Sequence, residues 1–101
     1  TNLTSTFSLA QNYPNPFNPQ TAIGFSLLAV GNVTMKVYDV LGQEVATLIN
    51  NESMQAGTHE VQFDVETFHG TSLPSGVYYY RIEINNKEHS FVDTKKFLLV
   101  K

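Results

Sequence analysis

Apolar residues in this chain recur at every second position, in run after run. Tyr78, Tyr80, Ile82 and Ile84 alternate with Val77, Tyr79, Arg81 and Glu83. Period two with one apolar face describes a strand laid on a core, and aromatic and β-branched side chains suit its pleated surface. The same alternation places Ile23, Phe25 and Leu27 opposite Ala22, Gly24 and Ser26, and Val33, Met35 and Val37 opposite Thr34, Lys36 and Tyr38. His59, Val61 and Phe63 share one face of a further strand, and Leu9 and Ala10 begin a short first one. Between Gln43 and Ile49 the pattern slips, with Val45 and Leu48 three apart, which predicts a strand that bulges or ends early. The segment from Asn50 to Gly57 then reads as a polar loop. Phe91 to Val100 forms a last long strand, apolar on both faces toward its end.

Turn signals separate these runs. Gly31-Asn32 marks one turn. Asp39-Val40-Leu41-Gly42 predicts a tight reversal, with Asp suited to the first position and Gly to the last. Asn85-Asn86-Lys87 predicts a hairpin turn, because Asn tolerates positive φ. Pro14, Pro16 and Pro19 exclude a helix or a central strand and push the residues before them to extended conformations. A polyproline-like edge segment anchored by Tyr13 and Phe17 is expected there, with a Pro-rich recognition ligand as the alternative. Residues 1–8 are mostly polar, with single apolar residues, and are expected to link an upstream domain to a domain spanning residues 9–101.

The sum is an all-β fold: an immunoglobulin-like antiparallel β-sandwich of about seven strands. In such a sandwich Gly76-Val77-Tyr78-Tyr79-Tyr80 has the spacing of a tyrosine corner. The Tyr78 hydroxyl is then expected to bond backbone between Phe68 and Ser75, with Tyr80 standing where antibody domains place a cysteine. If the strands at Val33–Asp39 and Val77–Ile84 pair, Tyr38 and Tyr79 become neighbours on an outer face.

Composition narrows function chiefly by exclusion. The 101 residues suit one domain, and 42% hydrophobic with 15% charged residues is globular. A net charge of −3 without a basic cluster argues against nucleic acid. The lack of cysteine rules out thiol catalysis and cysteine metal sites; it does not rule out export. His59, His69 and His89 are scattered, and no serine lies in a nucleophile elbow. Neither a phosphate loop nor a dinucleotide fingerprint is present. Asp64 and Glu66 are too few for a calcium ligand ladder. The expectation is a non-enzyme with no cofactor and no metal. No apolar run approaches the ~20 residues of a membrane span, and the polar start is not a signal peptide. An exported protein would carry this chain as part of a longer precursor.

Five stretches, taken in order, point to a family: Asn12-Tyr13-Pro14-Asn15-Pro16-Phe17-Asn18-Pro19; Val37-Tyr38-Asp39-Val40-Leu41-Gly42-Gln43-Glu44-Val45; Ala56-Gly57-Thr58-His59; Leu73-Pro74-Ser75-Gly76-Val77-Tyr78; and Thr94-Lys95-Lys96-Phe97-Leu98-Leu99-Val100-Lys101. From about Leu9 onward the chain resembles the C-terminal sorting domain of proteins exported by the type IX secretion system of Bacteroidetes. It is also similar to the immunoglobulin-like domain of flagellar hook-capping proteins. The resemblance implies a secretion address without catalysis, carried behind a cargo domain in the same chain. Its implied partners are the type IX translocon and a sortase-like protease of the outer membrane. The implied destination, through the periplasm and outer membrane, is the cell surface or the extracellular space, with the domain removed or used for surface attachment. It also implies translocon recognition by Lys95, Lys96, Phe97, Leu98, Leu99, Val100 and Lys101. Structural roles fall to Pro14, Asn15, Pro16, Phe17, Asp39, Gly42, Gly76 and Tyr78. Leu28, Gly24 and Gln43 depart from the family pattern, all in the sandwich body.

Two alternatives differ in class: a carbohydrate- or protein-binding accessory module of a secreted enzyme, with Tyr38 and Tyr79 as its platform, and a hook-capping domain. The second is disfavoured because the chain is expected to end at Lys101 on a strand. In that last strand only one of the pairs Phe97/Leu99 and Leu98/Val100 can face a core. The other pair is expected outward beside Lys95, Lys96 and Lys101, as a docking strip or as an edge buried by another domain.

Overall fold

A computed structural model describes residues 7–17, 20–64 and 73–100. In chain order its strands are β1 (Ser8–Leu9), β2 (Gln20–Leu27), β3 (Gly31–Tyr38), β4 (Glu44–Met54), β5 (Gly57–Asp64), β6 (Gly76–Asn85) and β7 (Ser90–Leu99). They form two antiparallel sheets, ordered β1-β2-β5 and β4-β3-β6-β7. Ile23, Phe25, Leu27 and Phe63 of the first sheet and Val33, Met35, Val37, Tyr80, Ile82, Ile84, Phe97 and Leu99 of the second are buried in one core. These are the alternate positions of their strands, so the period-two pattern became the two inner faces.

The first strand reaches one residue further than predicted. Ser8 pairs with Ser26, and Phe7 stacks on Phe91 with ring centroids 5.9 Å apart. The rest of the expected linker, residues 1–6, lies outside the described residues.

The predicted polar loop at 50–57 is instead the second half of β4, which runs on to Met54. Three register shifts separate β4 from β3, each with one extra residue on β4. The strand thus uses 11 residues to pass the 8 of β3. The extra residues throw side chains out of strict alternation, which brings Ala46 and Ile49, three apart, both into the core. Asn51 takes φ 50° at one shift, and its N–H donates to Thr34 Oγ1 at 3.1 Å.

The proline segment also differs from expectation. It bends, with both Tyr13-Pro14 and Asn15-Pro16 cis. Phe17 is buried as predicted, but Tyr13 is 81% exposed. Tyr13 exchanges backbone hydrogen bonds with Ala22, and it is the preceding residue, Asn12, that points inward. Asn12 Nδ2 donates to Pro14 O at 3.1 Å and to Thr21 Oγ1 at 3.0 Å. Adjacent residues of an extended segment face opposite ways, so a buried Asn12 puts Tyr13 in solvent.

Two of the three predicted turns form; Gly31 and Asn32 instead open β3, paired with Met54 and Ser53 of β4, and the chain bends just before them at Leu28 and Ala29. At Asp39–Gly42 the Gly42 N–H donates to Asp39 O at 3.0 Å. Asp39 Oδ1 accepts from the N–H groups of Leu41 and Gln43, while Gly42 supplies φ 84°. At the β6–β7 hairpin Asn86 works by another route than positive φ: its Oδ1 accepts from the N–H groups of Glu88 and His89.

Candidate functional site

β7 is an edge strand, with β6 its only strand neighbour among the described residues. Its pleat divides the expected recognition residues. Phe97 and Leu99 are buried, whereas Leu98 is 38% and Val100 44% exposed. Phe97 meets the rings of Phe17 at 5.0 Å, Tyr80 at 5.3 Å, Phe63 at 6.1 Å and Tyr78 at 6.2 Å. It is the hub of an aromatic core and does not face a partner. Alternation puts Lys96 on the outer face with Leu98, and half-buried Lys95 on the opposite side in file with Phe97 and Leu99. The expected cluster of lysines is therefore split by the strand, and Lys101 lies outside the described residues.

The backbone edge of β7 is engaged over its last residues. Asn15 Oδ1 accepts from Leu98 N–H at 2.9 Å. Phe17 N–H donates to Leu98 O, and Val100 N–H donates to Phe17 O, both at 3.0 Å. Gln11 Nε2 reaches Lys96 O at 2.8 Å. After pairing with β2 in one sheet, the N-terminal segment thus crosses over and runs along β7 of the other. Pro14, Asn15, Pro16 and Phe17 act here as a strap, with the Pro14 carbonyl also accepting from Thr21 Oγ1 at 2.9 Å.

Tyr80 holds the crossover in place, a role sequence reasoning missed. Its hydroxyl donates to Ala10 O at 2.7 Å and accepts from Asn12 N–H at 2.8 Å. Burial pushes its pKa up to about 12. The available signal was a phenol at a position otherwise suited to a purely apolar residue.

The tyrosine corner forms. Tyr78 Oη donates to Pro74 O at 2.6 Å, and burial raises its pKa, with the Asp39 charge adding to the effect. Gly76 takes φ 152° at the start of the strand. Tyr78→Phe is expected to cost about 1 kcal/mol, lowering the melting temperature by about 4–8 °C. A thermal melt matching the parent protein would mean that the hydroxyl stabilises nothing.

Tyr38 and Tyr79 are direct cross-strand partners. They border a shallow cleft of about 310 Å³ with Asp39, Val40, Gly42, Arg81 and Thr94. The polar groups beside the rings have partners within the domain: Asp39 Oδ1 holds the turn and Arg81 pairs with Glu83 at 3.0 Å. The pair is accounted for as cross-strand packing. Asp64 accepts from Gln20 Nε2 at 2.9 Å; Glu66 and His69 lie outside the described residues. Among the described residues no group of three or more His, Asp or Glu is placed to hold a metal, and no helix is long and apolar enough to cross a membrane.

Comparison with solved structures places the fold. The chain is similar to part of dimeric latent PorU from Porphyromonas gingivalis, at 20% identity and TM-score 0.73, covering 96% of this chain and 10% of that one. It is also similar to part of PorZ, described as an essential bacterial surface component of the type-IX secretion system of the same organism. That match has 18% identity and TM-score 0.51, and covers 94% of this chain and 11% of PorZ. The chain thus spans about a tenth of the length of each, and at these identities the likeness speaks to fold. No curated protein matches. The family model of the secretion system C-terminal sorting domain matches residues 11–99, from the strap to the last residue of β7. With its edge strand, strap and tyrosine corner contained in that span, the chain belongs to the secretion system C-terminal sorting domain family.

Proposed function

We propose that this domain directs an attached upstream protein through the type IX translocon of the outer membrane to the cell surface or beyond, and that β7 carries the address. As a sorting domain it serves secretion; the route, the translocon component and a sortase-like protease that removes the domain are parts of the proposal. The observation that carries the β7 assignment is the outward apolar pair Leu98 and Val100 in file with Lys96. A solvated edge needs only charge to discourage unwanted pairing, so an apolar pair there fits a surface that something else covers. In this reading Phe97 and Leu99 shape the address from inside, and the domain itself performs no catalysis.

The test uses a cargo fusion in a host with a type IX system. Replacing Lys95, Lys96 and Lys101 by Gln is expected to lower export while shifting stability by no more than about 0.5 kcal/mol, as surface changes usually do. Lys96→Gln alone is expected to account for more of the loss than Lys95→Gln, because Lys96 shares the outer face with Leu98. Normal export of the folded triple variant would remove the lysines from the signal. Deleting β7 is less informative, because it also removes Phe97 and Leu99 from the core.

A further inference from the structure

Six of the ten exposed large hydrophobic residues described, Val40, Leu41, Val77, Tyr79, Leu98 and Val100, belong to the elements that meet at one end of the sandwich. Register explains the gathering. Tyr38 at the end of β3 pairs with Tyr79 near the start of β6, and Val77 pairs with Leu98 near the end of β7. Val77 is a wall common to two clefts. One, of about 260 Å³, is completed by Asn15, Lys96, Phe97 and Leu98. The other, of about 400 Å³, runs from Val77 to Val40 and Val45 over the Tyr78 corner. Leu41, beside Val40 in the turn, is 80% exposed. Singly exposed apolar residues are ordinary; a contiguous group of them marks an interaction site.

We propose that this end, from the Val40–Leu41 turn across Val77 to Leu98, is the face on which a folded protein of the secretion apparatus docks, through an apolar surface bearing a carboxylate opposite Lys96. The proposal rests on the reading of the domain as a sorting address and adds the turn and β6 to the part read. Three observations favour this occupant. A sorting domain has to be recognised by another protein. Strand addition to the same part of β7 is closed, because the strap already engages Lys96 O, both backbone groups of Leu98 and Val100 N–H. The partner must therefore meet side chains on the face. The charges are also uneven: on the same outer face Lys36 pairs with Glu44 and Arg81 with Glu83, while Lys96, which lines the Val77 cleft, forms no ion pair among the described residues. An acidic group on the partner would complement it.

The experiment is export of a cargo fused to the whole domain, measured for Leu41→Ser and Val77→Thr beside Leu98→Ser with Lys96→Gln, and for Val92→Ser as an exposed control on β7 outside the patch. Leu41→Ser and Val77→Thr are each expected to slow export by about tenfold, the effect of losing one well-packed apolar contact, with Val77→Ile restoring it and Val92→Ser exporting normally. Leu41 lies outside the buried core, so its variant stays informative even if Val77→Thr disturbs folding. Lys96→Glu is expected to export more slowly than Lys96→Gln. Normal export of Leu41→Ser and Val77→Thr alongside failure of the β7 variant would overturn this inference and leave the β7 address standing. Normal export of all would overturn both. Sedimentation showing that the purified domain dimerises, and that Leu41→Ser abolishes the dimer, would assign the face to a second copy of the chain and overturn the proposal.

Discussion

Phe97→Ala is expected to destabilise the domain by about 3–5 kcal/mol, the usual cost of removing a buried aromatic ring. The ring touches Phe17 of the strap, Phe63 of β5 and Tyr78 and Tyr80 of β6, so its loss leaves a cavity where the strap and both sheets meet. Small domains are stable by only about 5–15 kcal/mol, and a change this large takes much of that margin. Denaturant unfolding should show a clearly lower midpoint for Phe97→Ala and a far smaller shift for Leu98→Ala, its outward neighbour. Equal shifts would contradict the assignment of faces in β7. The contrast also bears on secretion: an export defect from Phe97→Ala reports folding, and only the outward positions report recognition.

Tyr80→Phe is expected to cost about 2–4 kcal/mol, although it removes a single atom. The hydroxyl serves two backbone groups of the crossover, the buried Asn12 N–H and the part-buried Ala10 O; a donor left buried without a partner costs about 1–3 kcal/mol, and the lost bond to Ala10 O adds about 1 kcal/mol. The phenol also predicts a pH dependence. Its folded pKa, about 12, lies above the unfolded value of about 10, so between the two the folded state holds a proton that the unfolded state has lost. Stability is then complete below about pH 10 and falls as pH rises toward the folded pKa. Melting temperature measured across that window should drop for the parent protein. Tyr80→Phe should flatten the drop, leaving the part due to Tyr78, whose pKa is raised in the same direction. An undiminished slope in Tyr80→Phe would show that the phenol is not the group responsible.

Where alternation was unbroken, the sequence alone determined the strands and their faces. β2, β3, β6 and β7 lie where the period-two runs predicted, and Tyr78, Gly42 and Asp39 act where local spacing placed them. Even the outward placement of Lys96 with Leu98, and of Lys95 on the other side, is implicit in the pleat. These features are local, set by side-chain direction and turn geometry. The rest depended on contacts between distant residues. The second half of β4 is not legible in the sequence because bulges erase the alternation that marks a strand, and its extra residues are defined only against β3. Tyr13 was expected inside because it is aromatic, yet the inward position went to Asn12, whose amide finds partners in Pro14 and Thr21. The closing of the β7 edge by residues 11–17 joins segments more than eighty positions apart. No local pattern encodes that meeting, because Gln11, Asn15 and the Phe17 backbone find these partners only after both sheets have packed and brought β7 beside them.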